Sequence, residues 1–424
     1  MNVQWVRANP NDPLYYLRTL TNSLDLADIV PSVILRVSKV PRNRGPMSTA
    51  AGSPSTKPVK ASSEGTRRYA ARFAGRAAAG HFREQFSTGL ILSSIGIGTY
   101  LGEPDASTDA AYTAAVVAAV EGGANVIDTA INYRFQRSER SIGAALQQLF
   151  AKGFQRDELV LCTKAGFLTP DGEMPDDPNE YFSREYLEKG IFRAEEIAAG
   201  CHCMAPRYLE DQLDRSLRNL GVSSVDVFYL HNPETQLDEI PRPDFLIRLR
   251  SAFEFLEDAA RAGRIGAYGL ATWNAFRQEK KMKDYLSLEE MVSVAQDVAG
   301  AAHHFRFVQL PFNLAMPQAL TLPNQMVNEK AGALVQAARS LGITVVSSAA
   351  LLQGHLIKKM PSGVEAALGL KSNLLRALQF ARSTPGITTA LTGMSKVAHV
   401  RANLEIVGVE PAGREQYLKV FENK

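Results

Sequence analysis

Apolar residues recur along this chain in two alternating rhythms. Short runs bounded by polar residues or glycine ("LILSSIGIGT", "NVIDTA", "ELVLCTK", "VDVFYLH", "IGAYGLAT", "FRFVQLPFN", "ITVVSSA" and "ITTALTG") have the length and β-branched content of strands. Between most of them lie amphipathic stretches such as "AAYTAAVVAAVEGG", "ERSIGAALQQLFAKG", "RYLEDQLDRSLRNLG", "SAFEFLEDAARAGR" and "KAGALVQAARSLG". Several of these end at a glycine, the residue suited to the left-handed turn that stops a helix. Eight strand-like units alternating with helices predict an α/β fold with a parallel sheet, and the count of eight favours a closed (β/α)8 TIM barrel over an open doubly wound sheet. The first run offers "GIGT" but no G-x-G-x-x-G ahead of a helix, so the phosphate turn of a dinucleotide-binding open sheet is missing.

A closed barrel carries its chemistry at the C-terminal ends of the strands. Asp128 ends "NVID", Lys164 ends "LVLCTK", His231 ends "VDVFYLH", and Tyr133 lies in the loop just after Asp128. Each alone has an ordinary explanation, as a helix cap, a lysine reaching water or a satisfied core histidine. Three titratable groups at the mouths of the second, third and fourth strands, with a tyrosine beside them, point instead to one site. The connection over 165–206 far exceeds the usual 2–6 residues, and loops at this end of a barrel shape the substrate pocket.

Composition narrows the class. The chain has 424 residues, 45% of them hydrophobic, enough for a large core. Its 47 basic and 44 acidic residues leave a net charge of +3, so no global field points to nucleic acid or to an anionic membrane. No apolar run approaches the roughly 18–20 residues that span a bilayer, and the start lacks the pattern of a secretory signal. Cys162, Cys201 and Cys203 form an odd set without framework spacing, which suits a reducing cytoplasm. "CHCM" at 201–204 has no second cluster at zinc spacing, so no metal is expected. Cys162 lies two residues before Lys164 and shares its inward side as a small buried thiol.

"IDTAINY" followed by "SERSIGAAL", then "LVLCTK", "VDVFYLHNPE", "GRIGAYGLATW", "VQLPFN" and "ITTALTGMSKVAHVRANL", in that order over 82–407, resembles the aldo-keto reductase family. "HFREQFSTGLILSSIGIGT" resembles the family's opening, a hairpin that plugs the barrel bottom before the first strand. The resemblance implies a catalytic tetrad at Asp128, Tyr133, Lys164 and His231 and an NADP or NAD cofactor. It implies reduction of a small-molecule aldehyde or ketone, or oxidation of the matching alcohol. The physics agrees. A phenol with a pKa of about 10 is a reluctant acid, and a buried Lys164 ammonium held by Asp128 is expected to favour the phenolate and lower that value. His231 is expected to orient the carbonyl, and a cofactor must bring the hydride.

The cofactor positions that the resemblance implies are Gly98, Thr99, Asp128, Ala271, Thr272, Gln309, Gln353, Gly354, Gly393, Ser395, Lys396, His399 and Asn403. Several depart from the family pattern. Ala271 and Thr272 replace the Ser and Asn that hold the nicotinamide amide, while Gln309 is kept. Ser347 and Ser348 stand where an aromatic ring often stacks. His399 stands where an arginine usually meets the adenosine 2'-phosphate, a weaker partner than a fixed guanidinium, whereas Ser395 and Lys396 remain to favour NADP. A cofactor-binding barrel serving regulation or assembly, with little turnover, is the alternative reading. A lyase or isomerase using the same Lys and Tyr is a third, opposed by the "LTGMSK" phosphate segment.

Residues 1–80 read as an extension and linker and 81–424 as the barrel domain. The stretch 41–65, rich in Pro, Ser and Lys, is expected to be flexible, and 66–86 to be a partly exposed lead-in. Met47 opens a segment resembling a protein start, so the first forty residues are expected to be dispensable for catalysis. The sequence sets no oligomeric state.

Overall fold

The computed structural model describes residues 59–422, and eight parallel strands within them close a barrel. The first four are Ile95–Gly98, Val126–Asp128, Val160–Ala165 and Val225–His231. Ile265–Ala271, Phe305–Pro311, Thr344–Ser348 and Ile387–Gly393 follow. Every strand pairs with its sequence neighbours, and the eighth returns to the first through Ala390↔Ile95 and Gly393↔Gly98. The eight-stranded expectation therefore holds. Strand alternation sorts the side chains. Val227 and Tyr229 face the barrel interior with Val160, Cys162 and Phe307. Phe228 and Leu230 face outward into the larger core under the helices. Gly269 lets the fifth and sixth strands close up, since a Cβ there would stand 2.2 Å from the Phe307 carbonyl oxygen.

Phe82–Glu84 and Ile91–Ser93 form an antiparallel hairpin just before the first barrel strand. Leu90 and Leu92 pack into the interior cluster with Val126, Val160, Val346 and Leu391, which makes the hairpin the plug expected from sequence. Ala61 joins the same cluster, and its backbone N–H donates to Asp226 Oδ1 at 2.6 Å. Ser62 then caps a helix, Ser63–Ala71, by accepting from the Gly65 N–H. Contrary to the expectation of a flexible stretch as far as Gly65, Ala61 to Gly65 are held in place. Composition could not show this, because Asp226, which holds Ala61, is 165 residues away. Arg68 and Arg72 both pair with the buried Glu158 carboxylate, and the Tyr69 hydroxyl donates to the Val120 carbonyl at 2.6 Å. Residues 1–58, with the dispensable segment and most of the linker, lie outside the described residues.

Two connections depart from the sequence reading. "KAGALVQAARSLG" divides: Lys330–Gly332 pairs with Gln325–Val327 in a hairpin, and the helix is confined to Leu334–Ser340. The 165–206 connection builds a core of its own from Phe167, Phe182, Tyr186 and Phe192, joined by Tyr208 of the following helix, with the rings of Tyr186 and Phe192 stacked at 5.4 Å.

Candidate active site

At the C-terminal mouth of the barrel opens a cavity of about 940 Å³. Asp128 closes the second strand and Lys164 lies one residue from the end of the third, both on inward positions. Lys164 Nζ donates to Asp128 Oδ1 at 2.5 Å and to the Thr129 carbonyl at 2.7 Å, in a site closed to solvent. Burial alone would lower the lysine's pKa. The adjoining Asp128 carboxylate and the Tyr133 hydroxyl outweigh it and hold the ammonium above its usual pKa. Burial pushes the Asp128 carboxyl up, against the pull of Lys164 and of Gln309, whose Nε2 donates to Oδ2 at 2.7 Å.

Tyr133 turns into this pair from the loop after the second strand. The Lys164 ammonium sits 5.0 Å from its ring centroid, and the His231 ring meets it edge-on at 5.7 Å. Tyr100 contacts its other side at 5.0 Å. Contrary to expectation, the Tyr133 hydroxyl titrates above 10. Burial pushes it up by more than the Lys164 charge and hydrogen bond pull it down. Sequence shows the lysine but not the depth of the pocket. Arg134, Phe135 and Gln136 follow in left-handed backbone, a conformation that costs non-glycine residues about 1–3 kcal/mol each. Side chains hold the turn. The Arg134 guanidinium donates to Ser138 at 3.2 Å, Asp109 at 2.6 Å and Ser141 at 3.0 Å, and Gln136 donates to the Pro170 carbonyl.

His231 ends the fourth strand with its imidazole pKa well below 6.5, lowered first by burial and then by the Lys164 charge. Its Nδ1 lies 3.2 Å from Asn132 Oδ1, and among the described residues Nε2 has no hydrogen-bond partner. Asn132, Thr129 and His202 were missed as site residues by sequence reasoning. The first two are polar and flank Asp128 and Tyr133, a signal in plain view. His202 was weighed only as a metal ligand.

Of the expected cofactor positions, Gly98, Thr99, Asp128, Ala271, Thr272 and Gln309 line the cavity, as do Gln353, Gly354, Gly393, Ser395, His399 and Asn403. Lys396 does not. It stands exposed at the start of the helix Val397–Leu404. Ser347 is buried behind the wall, whereas Ser348 reaches it. Gln353 and Gly354 both have positive φ, a turn that presents backbone to the cavity. Thr272 and Thr392 line the cavity with buried hydroxyls that have no partner among the described residues. Unpaired hydroxyls at Thr272 and Thr392, the Gln309 amide, and glycines at Gly98, Gly354 and Gly393 are what an extended polar cofactor would use, so the residues present fit a nicotinamide dinucleotide.

The family model described as the aldo/keto reductase family matches residues 94–418. D-threo-aldose 1-dehydrogenase of Pseudomonas sp is 31% identical over 180 residues, which are 39% of this chain and 45% of that protein. 6-Dehydroglucose reductase of Novosphingobium aromaticivorans is 25% identical over 340 residues, 78% of this chain and 87% of that one. The chain thus spans under half of the first relative and most of the second. Among solved structures, an aldo/keto reductase from Klebsiella pneumoniae in complex with NADP and acetate has a similar fold, with a TM-score of 0.53 at 19% identity. That likeness covers 79% of this chain and 92% of the other.

Proposed function

The chain belongs to the aldo/keto reductase family, and from that premise we propose that it is an NADP(H)-dependent oxidoreductase reducing a neutral aldehyde or ketone, or oxidising the corresponding alcohol. One observation carries the reading: the buried Lys164–Asp128 pair lies under Tyr133, and His231 faces the same ring across the cavity. When bound, the nicotinamide supplies the hydride. Everything else falls to side chains. Tyr133, whose pKa is raised, keeps its proton at neutral pH and gives it to the carbonyl oxygen. The phenolate left behind is stabilised by the Lys164 ammonium, which Asp128 and the Thr129 carbonyl hold charged and in place. His231, a neutral imidazole, contacts the substrate oxygen through Nε2 and does not compete as proton source.

Thr272 and Gln309 would hold the cofactor's amide end, and Gln353, Gly354, Ser395, His399 and Asn403 its phosphates and adenosine. NADP is the choice supported by the Klebsiella pneumoniae neighbour and by Ser395, which lines the cavity. The substrate side carries no spare fixed charge. Among the described residues Arg134 is the one Lys or Arg lining the cavity, and its guanidinium is spent on Asp109, Ser138 and Ser141. Two relatives are named for uncharged sugars, D-threo-aldose and 6-dehydroglucose, in keeping with this. Three free, buried cysteines support a reducing compartment, the cytosol. Absorbance at 340 nm, with NADPH or NADH and a panel of aldehydes, ketones and aldoses, tests the reading. Tight cofactor binding with no turnover on any of them would favour the regulatory barrel.

A further inference from the structure

The fourth strand leaves one backbone group unprovided for. Its ladder to the third strand ends at Ala165↔Leu230, and Asn232 turns away in left-handed backbone (φ 47°, ψ 58°). The His231 carbonyl therefore lies beyond the ladder. The 165–206 insertion fills that place. Its short hairpin, Ile197–Ala198 with His202–Cys203, is laid against residues 166–168, with the Cys203 N–H donating to the Gly166 carbonyl at 2.8 Å. This brings the buried His202 ring to the strand end, where Nε2 lies 2.7 Å from the His231 carbonyl oxygen.

Donor and acceptor roles follow link by link. A carbonyl only accepts, so His202 Nε2 carries the hydrogen and Nδ1 of the neutral ring must accept. Gln236 Nε2 donates to that Nδ1 at 2.8 Å and to the His202 carbonyl at 2.9 Å. Gln236 Oε1 accepts from Arg248 Nη1 at 2.6 Å, and a guanidinium cannot do otherwise than donate. Arg248 is in turn fixed by the carbonyls of Glu195 and Glu196. Every member has one allowed orientation. Burial, with a smaller contribution from the Arg248 charge, lowers the His202 pKa to about 4, which keeps the ring neutral. Phe167 fills the remaining space, edge-on to His202 at 5.0 Å and to His231 at 5.1 Å. Gly166 leaves the gap, since a Cβ there would stand 2.6 Å from His202 Nε2 and 2.7 Å from the His231 oxygen.

We propose that His202 is a positioning residue: locked by Gln236 and Arg248 with its hydrogen on Nε2, it takes the place of a third-strand partner for the His231 carbonyl and fixes the backbone from which the catalytic imidazole faces Tyr133. The insertion thus contributes to catalysis through a buried hydrogen-bond chain as well as by shaping the pocket. The role of His202 rests on the reading of His231 given above.

The test uses the full chain with two variants. His202→Phe keeps a ring but removes the donor, and His202→Gln restores an N–H near the Nε2 position. Ring misplacement predicts that kcat for carbonyl reduction falls about tenfold or more in the Phe variant, with NADPH affinity within about twofold of wild type. The Gln variant should recover most of the loss. Long-range ¹H–¹⁵N spectra of histidine-labelled protein should show His202 neutral, protonated at Nε2, between pH 5 and 8. The His231 ring signals should move in the Phe variant. A folded His202→Phe protein with unchanged kcat and unchanged His231 signals overturns the proposal, as does a wild-type His202 protonated at Nδ1. Should His202→Phe not fold, Arg248→Met cuts the chain at its half-exposed end. Altered His202 signals with a lower kcat then support the proposal, and unaltered ones overturn it. A wild-type protein that reduces no carbonyl would refute the enzyme reading, and the spectra would still decide whether His202 holds His231.

Discussion

Gln309 Nε2 donates to Asp128 Oδ2 at 2.7 Å, so the residue expected to hold the cofactor amide is bonded to the carboxylate that pairs with Lys164. The proposed cofactor clamp and the proposed catalytic ion pair therefore share one network. Gln309→Leu should raise the NADPH dissociation constant and lower kcat together, each by about tenfold, the scale of a lost hydrogen bond to a charged group. Fluorescence titration and turnover measure the two. A change in affinity alone would show that the Asp128 contact is incidental.

The part of this site that was legible in sequence is the part that strand ends fix. Asp128, Lys164 and His231 each close an apolar run, and a barrel gathers such ends at one mouth. Coupling across long separations was not legible. Ala61 bonds to Asp226 and His202 to His231 through contacts no local period encodes. Nor does residue type reveal depth, which reversed the expected direction for Tyr133. The left-handed turn at Arg134, Phe135 and Gln136 was hidden because tertiary hydrogen bonds to Asp109, Ser138, Ser141 and the Pro170 carbonyl hold it, with no glycine to announce it.

The pH dependence of turnover follows from two shifts. Tyr133 must be protonated to donate, and its pKa lies above 10, so kcat for reduction should stay flat from pH 6 to 9. His231 is held neutral well below 6.5, so no inflection is expected between pH 6 and 8. Alcohol oxidation needs the phenolate and should rise with pH over the same range. A bell centred near pH 6.5 in kcat would contradict both assignments.

Stability should respond to acid through buried histidines. His81 and His202 both have pKa values lowered to about 4, chiefly by burial. Below about pH 6.5 the unfolded chain therefore binds protons that the fold refuses, and stability falls until about pH 4, by on the order of 3 kcal/mol per group. Glu234 acts in the opposite sense. Burial raises it to about 7, so it favours the fold as pH drops from 7 towards 4.5. Two against one leaves a net loss from these groups. Glu234→Gln removes the opposing one and should steepen the fall in urea midpoint between pH 7 and 5. An unchanged slope in the variant would contradict the assignment.

Charge on the substrate should be penalised. With Arg134 spent on Asp109, Ser138 and Ser141, a carboxylate or phosphate entering the cavity loses hydration without gaining a fixed cation. For aldehydes matched in size, kcat/KM should fall by about tenfold or more when the neutral compound is replaced by its carboxylated or phosphorylated analogue. Equal efficiency would mean that a cation outside the described lining reaches the substrate.

The central claim is that Tyr133 hands its proton to a carbonyl oxygen over a buried Lys164–Asp128 pair. Tyr133→Phe keeps the ring, its contact with Tyr100 and the ammonium beneath, and removes only the acid. The decisive measurement is single-turnover oxidation of bound NADPH at 340 nm with saturating aldehyde, wild type beside variant, after both have been shown to bind NADPH equally. The account predicts a rate lowered by about 10²-fold or more in the variant, the usual scale for a lost general acid. A variant that oxidises NADPH at the wild-type rate would contradict it.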